Sequence, residues 1–206
     1  MRAYLAIRVP PLTRPAELPW IPEGHLTLRF LGEIDEAAVP AIAEAMGRAA
    51  AGRPSFDLGF AGMGEFVGPG RRVLWIGVAE GRRELEALRD DLVRELEGAG
   101  VPPDPRPFRP HVTLRRIRTA AEGRIADGLL QGPAGRPFGR TRVRSIDLWS
   151  RRAGPAGAPP VRIASRGLPG AGPPAEEGRE AAEDPGGDGA PPARARSAAP
   201  SSYPSD

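Results

Sequence analysis

Two nine-residue segments of this chain follow the same pattern, and each contains one of the chain's two histidines. The first segment is PEGHLTLRF at 22–30, and the second is FRPHVTLRR at 108–116. Both contain the tetrapeptide His-x-Thr-Leu, and the histidines, His25 and His111, are 86 residues apart. A motif that recurs in this way, each time after a proline-containing loop, predicts two copies of one strand-and-helix unit with a site between them.

Each motif separates its polar residues from its apolar ones, because side chains alternate between the two faces of a β-strand. On the first strand His25 and Thr27 share a face, and on the second strand His111 and Thr113 share a face. The apolar residues of the motifs point the other way, where they can pack on helices. If a pseudo-two-fold axis relates the two units, the two polar faces meet in one cleft.

Two opposed imidazoles are suited to acid–base catalysis at phosphorus. Histidine titrates near neutral pH, so one ring can accept a proton while the other donates one. An in-line displacement needs a base at the attacking oxygen and an acid at the leaving oxygen. Threonine hydroxyls can donate hydrogen bonds to the other phosphate oxygens. A single histidine on a strand is more often a packed or surface residue, but two histidines in matching motifs favour a site.

Hydrophobic periodicity predicts a fold of the α+β class. Alternating segments predict strands at 2–9, 25–31, 55–63, 72–79, 111–117, 141–149 and 161–165. One helix is expected to begin near Asp35 and to end at Gly52, and the regularly spaced leucines of 85–96 predict a second helix. Thr119 and Glu122 form a capping-box signal for a short third helix.

Composition divides the chain into a basic body and an acidic tail. Residues 169–206 are mainly Ala, Pro, Gly and charged residues with one aromatic side chain, which predicts a disordered extension. Residues 1–168 are predicted to form one folded domain. That domain has 26 arginines against 19 acidic residues, and its net charge of +7 suits an anionic ligand.

Several classes of protein and site are excluded by what the sequence lacks. With no cysteine, disulfides, zinc ribbons and thiol nucleophiles are impossible. No apolar run reaches the roughly 18 residues of a membrane span, and 2–9 is too short and too charged for a signal peptide. Two histidines without clustered acids give too few metal ligands, and no nucleophile elbow or phosphate-binding glycine loop is present. We therefore expect a cytoplasmic protein without membrane contact, metal or other cofactor.

Around both motifs the sequence resembles the two-histidine (2H) phosphoesterase superfamily, and within it the RNA 2′,3′-cyclic phosphodiesterases, also called 2′–5′ RNA ligases. The similar stretches are LPWIPEGHLTLRFLGEID and RPFRPHVTLRRI, together with RVLWIGV and the leucine-rich helix after it. The resemblance covers about residues 2–168. It implies a bilobal α+β fold of duplicated strand–helix units, with two antiparallel sheets around a central cleft.

The resemblance also implies an activity and the residues that carry it. Enzymes of this kind hydrolyse the 2′,3′-cyclic phosphate at the end of an RNA to a 2′-phosphate, and family members can also join RNA ends through a 2′–5′ bond. Their proton donor to the departing 3′ oxygen corresponds to His25, and the acceptor that activates water corresponds to His111. Thr27 and Thr113 correspond to the residues that hold the phosphate.

Two points about this resemblance leave details open. The family motif indicates Arg116 as a phosphate contact, whereas strict alternation puts Arg115 on the His111 face unless the strand contains a bulge. The family also has a full helix between the first strand and the first motif. Here only PPLTRPAELP, at 10–19, separates Val9 from Trp20, so we expect a shortened or missing helix and an altered substrate preference.

Three functions fit these observations. The first is a monomeric cyclic phosphodiesterase whose partner is an RNA with a 2′,3′-cyclic phosphate end. The second is a 2H phosphoesterase for a small nucleotide, such as an ADP-ribose cyclic phosphate or a 2′–5′ oligonucleotide. The third is a non-catalytic module that binds RNA ends. The two histidines disfavour the third function, because a binding module needs neither an acid nor a base.

Overall fold

The computed structural model describes residues 1–13, 24–151 and 160–170, which form eight strands and three α-helices. The strands are β1 (Arg2–Val9), β2 (Gly24–Glu33), β3 (Phe56–Gly68), β4 (Arg71–Glu80), β5 (His111–Ile117), β6 (Pro137–Val143), β7 (Ser145–Arg151) and β8 (Val161–Gly167). The helices are α1 (Val39–Ala51), α2 (Arg82–Gly98) and α3 (Ala120–Leu130). The predicted α+β class is confirmed.

The eight strands belong to one antiparallel sheet, in the order β6-β3-β4-β5-β2-β1-β7-β8. The two strands that carry the motifs, β2 and β5, are neighbours at its centre and share one residue pair, Leu26 opposite Val112. The prediction of two separate antiparallel sheets is therefore wrong. If the motif strands lay at the edges of two separate sheets, each would expose unpaired backbone N–H and C=O groups. Pairing β2 directly with β5 gives some of these groups hydrogen-bond partners.

The two halves of the sheet correspond strand by strand. Counting outward from the centre, β5 corresponds to β2, β4 to β1, β3 to β7 and β6 to β8. A helix follows each motif strand: α1 follows β2 after a short 3-10 turn, and α3 follows β5. The duplicated strand-and-helix unit predicted from the sequence repeat is present in this arrangement.

The three helices pack on one face of the sheet and enclose the core. The apolar residues of both motifs are buried there: Leu26, Leu28, Val112 and Leu114. The helix α2 presents to this core a stripe of fully buried leucines at helical spacing: Leu85, Leu88, Leu92 and Leu96. Because the helices occupy this face, the residues that alternate with the buried ones point to the opposite face.

Two strand predictions differ from the structure in extent. The segment 141–149 was expected to be one strand, but the chain forms β6 and β7 with a break at Arg144. The break is needed because β6 pairs with β3 in one half of the sheet, whereas β7 pairs with β1 in the other half. The strand predicted at 55–63 is longer than expected and continues to Gly68.

The predicted helix caps are present. The Asp35 carboxylate accepts a hydrogen bond from the Ala37 amide at 3.0 Å and caps the 3-10 turn that leads into α1. Thr119 and Glu122 form the complete capping box of α3. Both caps satisfy amide groups that a helix start leaves without partners.

Two expectations lie outside the described residues. The expected loss of a helix concerns 10–19, of which 14–19 are not described, and the expected disorder of the tail concerns 171–206. At the predicted domain boundary Leu168 is buried, and Ser55 hydrogen-bonds to the carbonyls of Pro169 and Gly170. Within the described ranges, no helix is both long enough and apolar enough to cross a membrane.

Candidate active site

The junction of β2 with β5 brings the two motifs together on one face of the sheet. Leu26 and Val112 lie opposite each other at this junction and point into the core. The residues that flank them point to the other face and are half-buried: His25, Thr27, His111 and Thr113. Because opposite residues of antiparallel strands share a face, the register itself assembles two imidazoles and two hydroxyls on one surface.

A β-bulge interrupts β5 immediately after this group. The additional residue is Leu114, at a shift in the register with β4. Beyond the bulge the alternation changes face. Arg115 points to the helices, where its guanidinium binds the Glu122 carboxylate of α3. Arg116 is exposed on the same face as His111, so the bulge provides the change of face that the Arg116 assignment requires.

A corresponding bulge lies in β2. Its additional residue is Leu28, again the leucine of the motif. The next residue, Arg29, is 5% exposed and lies on the helix side. Arg115 lies on the same side in the other half of the sheet. Phe30 returns to the site face, where its ring centroid lies 6.2 Å from that of Tyr4. Phe30 on β2 therefore corresponds to Arg116 on β5, since each lies two residues after the bulged leucine of its motif.

The surroundings of His111 favour its neutral form. The Phe66 ring packs edge-on against the imidazole with 4.8 Å between centroids, and the Trp75 ring lies 6.2 Å away. Burial lowers the pKa of His111, and a hydrogen bond to the Arg109 carbonyl opposes this lowering only in part. The bond joins His111 Nδ1 to the Arg109 oxygen at 2.7 Å. A carbonyl can only accept, so Nδ1 carries the proton and Nε2 is left as an acceptor.

His25 lies in a different environment. Its ring centroid is 5.1 Å from that of Tyr4, and the two planes are tilted by 35°. Tyr4 belongs to β1 and is itself 7% exposed, so it forms a fixed wall beside the imidazole. The two histidines therefore have different aromatic neighbours: Phe66 and Trp75 at His111, and Tyr4 at His25.

The loop before β5, residues 102–110, is fixed against β2 and places groups on both faces of that strand. On the helix side the Arg29 guanidinium donates to the Pro102 carbonyl and lies 3.9 Å from the Asp104 carboxylate. Asp104 in turn binds the Arg106 guanidinium with two hydrogen bonds of 2.8 Å. Arg106 extends to the site face, with its guanidinium carbon 5.3 Å from the centroid of the Phe30 ring.

Three aromatic residues of the site were not identified from the sequence: Tyr4, Phe66 and Trp75. Each lies on a strand next to a motif strand or one strand further out, and on the site face. The sequence does contain one sign of the position of Trp75, which is Gly64 within the strand β3. A side chain at Gly64 would overlap the Trp75 ring, so only glycine lets the indole lie against β3.

No cluster suited to a metal ion lies in the part of the chain that the structure describes. A site of this kind needs three or more His, Asp, Glu or Cys side chains in one place, and the described residues contain no such group. What the site does contain is a pair of imidazoles, two hydroxyls and an exposed guanidinium on one face. This set of groups can move protons and bind a phosphate.

Comparison with known proteins identifies the family of this chain. The family model of the 2′-5′ RNA ligase superfamily matches residues 8–155, which include both motifs. The chain belongs to this superfamily. The resemblance inferred from the two motifs is thereby confirmed, and the match includes both motif strands and the loop 102–110.

Two curated relatives of this 2′-5′ RNA ligase superfamily member are named RNA 2′,3′-cyclic phosphodiesterase. The protein of Aeropyrum pernix is 38% identical over 129 residues, which are 62% of this chain and 69% of the relative. The protein of Aquifex aeolicus is 34% identical over 128 residues, which are 61% of this chain and 68% of the relative. Among solved structures, apo LigT of E. coli superposes with a TM-score of 0.60 at 24% identity, covering 82% of this chain and 97% of LigT. This last likeness shows the fold.

Proposed function

We propose that this protein hydrolyses the 2′,3′-cyclic phosphate at the end of an RNA to a 2′-phosphate, with His25 and His111 as its acid and base. The observation that carries the proposal is the hydrogen bond from His111 Nδ1 to the Arg109 carbonyl, on the sheet face that also bears His25. It supports a neutral His111 with an acceptor at Nε2. The names of the curated relatives support the substrate.

In the proposed reaction His111 is the base, in keeping with its lowered pKa, and His25 is the acid, as the family resemblance implies. His111 Nε2 takes a proton from a water molecule, and the water oxygen attacks phosphorus. The bond between phosphorus and the 3′ oxygen breaks, and protonated His25 gives its proton to that oxygen. The products are a 2′-phosphomonoester and a 3′-hydroxyl, and each histidine ends in the protonation state opposite to its starting one. Exchange with solvent restores both rings.

The remaining polar groups hold the phosphate. The Thr27 and Thr113 hydroxyls lie on the two sides of the junction and can donate hydrogen bonds to the two non-bridging oxygens. Arg116, on the same face, adds a positive charge that stabilises the charge developing on these oxygens. A phosphate between the two motifs is then bound by Thr27 of β2 and by Thr113 and Arg116 of β5 at the same time.

The same groups support a second reaction, to which the family's name refers. If the 5′-hydroxyl of a second RNA takes the place of water, its oxygen attacks phosphorus, the bond to the 3′ oxygen breaks, and a 2′–5′ bond forms; in the reverse reaction the 3′-hydroxyl attacks and the 5′ oxygen leaves. In the forward direction His111 accepts the proton of the 5′-hydroxyl and His25 protonates the 3′ oxygen, and in the reverse direction the two histidines exchange these roles. We propose this transesterification as a side activity, because a water molecule needs less room than a second RNA end.

We further propose that residues 1–168 form the catalytic domain and that 169–206 are an extension without a part in catalysis. The hydrolase acts as a monomer, since the two motifs of one chain already provide the acid and the base. We also propose that it acts in the cytoplasm, where RNA ends are its substrate. Size-exclusion chromatography with light scattering tests the oligomeric state, and a fluorescent fusion observed in the source cells tests the location.

The test of the function is incubation of the protein with a short RNA that ends in a 2′,3′-cyclic phosphate. We expect one product, whose ³¹P NMR resonance is that of a 2′-phosphomonoester. His25→Ala and His111→Ala remove the acid and the base and should leave little product. A 3′-phosphate, or an unchanged cyclic phosphate, would contradict the assignment.

A matched control separates catalysis from folding. Val161→Ala changes an exposed apolar residue on β8, at the far edge of the sheet, and should retain the wild-type rate. If the histidine variants have the thermal stability of this control and lack activity, their loss is chemical. The small-nucleotide alternative is tested in parallel with ADP-ribose 1″,2″-cyclic phosphate, which we expect to be a poorer substrate than the RNA.

A further inference from the structure

Phe30 is an exposed aromatic residue that the proposed mechanism does not use. Its side chain is 51% exposed, one of three large apolar side chains with such exposure among the described residues. The bulge at Leu28 turns it onto the site face. Tyr4 contacts both the His25 ring, at 5.1 Å, and the Phe30 ring, at 6.2 Å, so Phe30 lies one ring beyond the histidine.

The cation above Phe30 is connected to a set of less exposed groups. Arg106 lies over the ring at 5.3 Å, and its guanidinium is bound bidentately by Asp104. Asp104 is 3.9 Å from Arg29, and Arg29 is nearly buried on the opposite face of the same strand. An ordinary surface arginine has no such anchor. The anchor keeps a planar cation near a planar ring at the edge of the site.

We propose that Phe30 and Arg106 form a binding subsite for the nucleobase of the nucleotide that carries the cyclic phosphate. The proposal rests on the proposed function, which directs the departing 3′ oxygen of that nucleotide to His25. Because the base and the 3′ oxygen belong to one ribose, the base must lie close to His25 as well. Phe30 offers it an aromatic face at that place, and the Arg106 guanidinium stacks on the other side of the base.

This subsite recognises the flat shape of a base. Stacking on an aromatic ring is tolerant of sequence, since every base has a π-face, and arginine adds a cation–π contribution. We therefore expect all four bases to be accepted, with the larger purines bound more tightly than the pyrimidines. The exposed end of the Arg106 side chain shifts outward from Phe30 to admit the base, while its bonds to Asp104 keep it beside the subsite.

The experiment compares a substrate with a base and one without. Adenosine 2′,3′-cyclic phosphate and 1-O-methylribose 2′,3′-cyclic phosphate have the same reacting group. For Phe30→Ala we expect KM for the adenosine substrate to rise roughly five- to hundredfold, the effect of losing one base–aromatic stack. The kcat for that substrate should change little, and both constants for the abasic substrate should be unchanged. Phe30→Trp should retain the low KM, because tryptophan also stacks.

Two further variants control the result. Phe30→Leu keeps an apolar side chain without a π-face and should raise KM as alanine does. Val67→Ala changes another exposed apolar residue, on β3, and should leave both substrates unaffected. An unchanged KM in Phe30→Ala, or an equal loss on both substrates, would overturn the proposal, because either result removes the connection between Phe30 and the base.

A binding measurement separates this proposal from the proposed function. If the wild-type protein hydrolyses neither of these substrates nor the short RNA with a 2′,3′-cyclic end, the proposed function fails. Calorimetry with adenosine 2′-monophosphate and with inorganic phosphate then tests the base subsite separately. Weaker binding of the nucleotide to Phe30→Ala, with unchanged binding of inorganic phosphate, supports the base subsite. Equal binding of the nucleotide to wild type and Phe30→Ala refutes it.

Discussion

The Asp104 carboxylate determines how firmly the loop 102–110 is held, and its contribution can be measured through pH. Asp104 is 14% exposed and accepts hydrogen bonds from the Arg106 guanidinium and, at 3.1 Å, from the Arg106 amide. These bonds, with the nearby charge of Arg29, lower the pKa of Asp104 from 3.8 to about 2. The ionised carboxylate is therefore favoured in the folded protein relative to the unfolded chain.

The size of this effect follows from linkage. One pKa unit corresponds to about 1.4 kcal/mol, so the lowering corresponds to about 2.5 kcal/mol, which solvent screening at the exposed Arg106 reduces to about 2 kcal/mol at neutral pH. Because the folded pKa lies below the unfolded one, the contribution is complete above the unfolded pKa. It is lost as the pH falls through about 2. Asp104→Asn, which cannot ionise, should lack this contribution at every pH.

Urea denaturation between pH 7 and pH 2 measures the difference. We expect Asp104→Asn to be less stable than wild type by about 2 kcal/mol at pH 7. The two curves should converge toward pH 2. Asp90→Asn is the matched control, because Asp90 pairs with Arg89 at 3.2 Å but its side chain is 66% exposed. A difference that stays constant with pH, or no difference at pH 7, would refute the reasoning.

The other predictions concern catalysis. His25→Ala and His111→Ala should each lower kcat by roughly 10²–10⁴, and the double variant should be little worse than the weaker single one, as measured by product formation. With a nitrophenyl ester as substrate, whose leaving group needs little protonation, His25→Ala should recover much of its rate while His111→Ala should not. The pH–rate profile should be bell-shaped. Because burial lowers the pKa of His111, its acid limb should lie below the usual histidine range, and Phe66→Ala, which admits water, should move that limb upward. A chelator should leave the rate unchanged, and so should truncation after Gly170, in the same assay.

The faces of the motif strands could be predicted from the sequence because alternation along a strand is local. Alternation alone puts His25 and Thr27 on one face of β2. It likewise puts His111 and Thr113 on one face of β5. The capping box at Thr119 is local as well, since it involves residues three positions apart. These features need no knowledge of what packs against them.

Features that depend on distant parts of the chain could not be predicted. One sheet forms instead of two because Leu26 and Val112 pair across 86 residues of sequence. The motif spacing shows that the units correspond but does not show that their strands pair. The bulge at Leu114 depends on the register with β4, so the sequence left both Arg115 and Arg116 as candidates for the site face.

The most direct test of the central claim is a single-turnover reaction in H₂¹⁸O. An RNA with a 2′,3′-cyclic phosphate end is mixed with excess protein, and the product is examined by mass spectrometry and ³¹P NMR. Attack by a water that His111 activates predicts one labelled oxygen on the phosphorus of a 2′-phosphate, and little such product with His111→Ala. A product without the label, a phosphate on the 3′ oxygen, or a wild-type rate for His111→Ala would contradict the two-histidine mechanism.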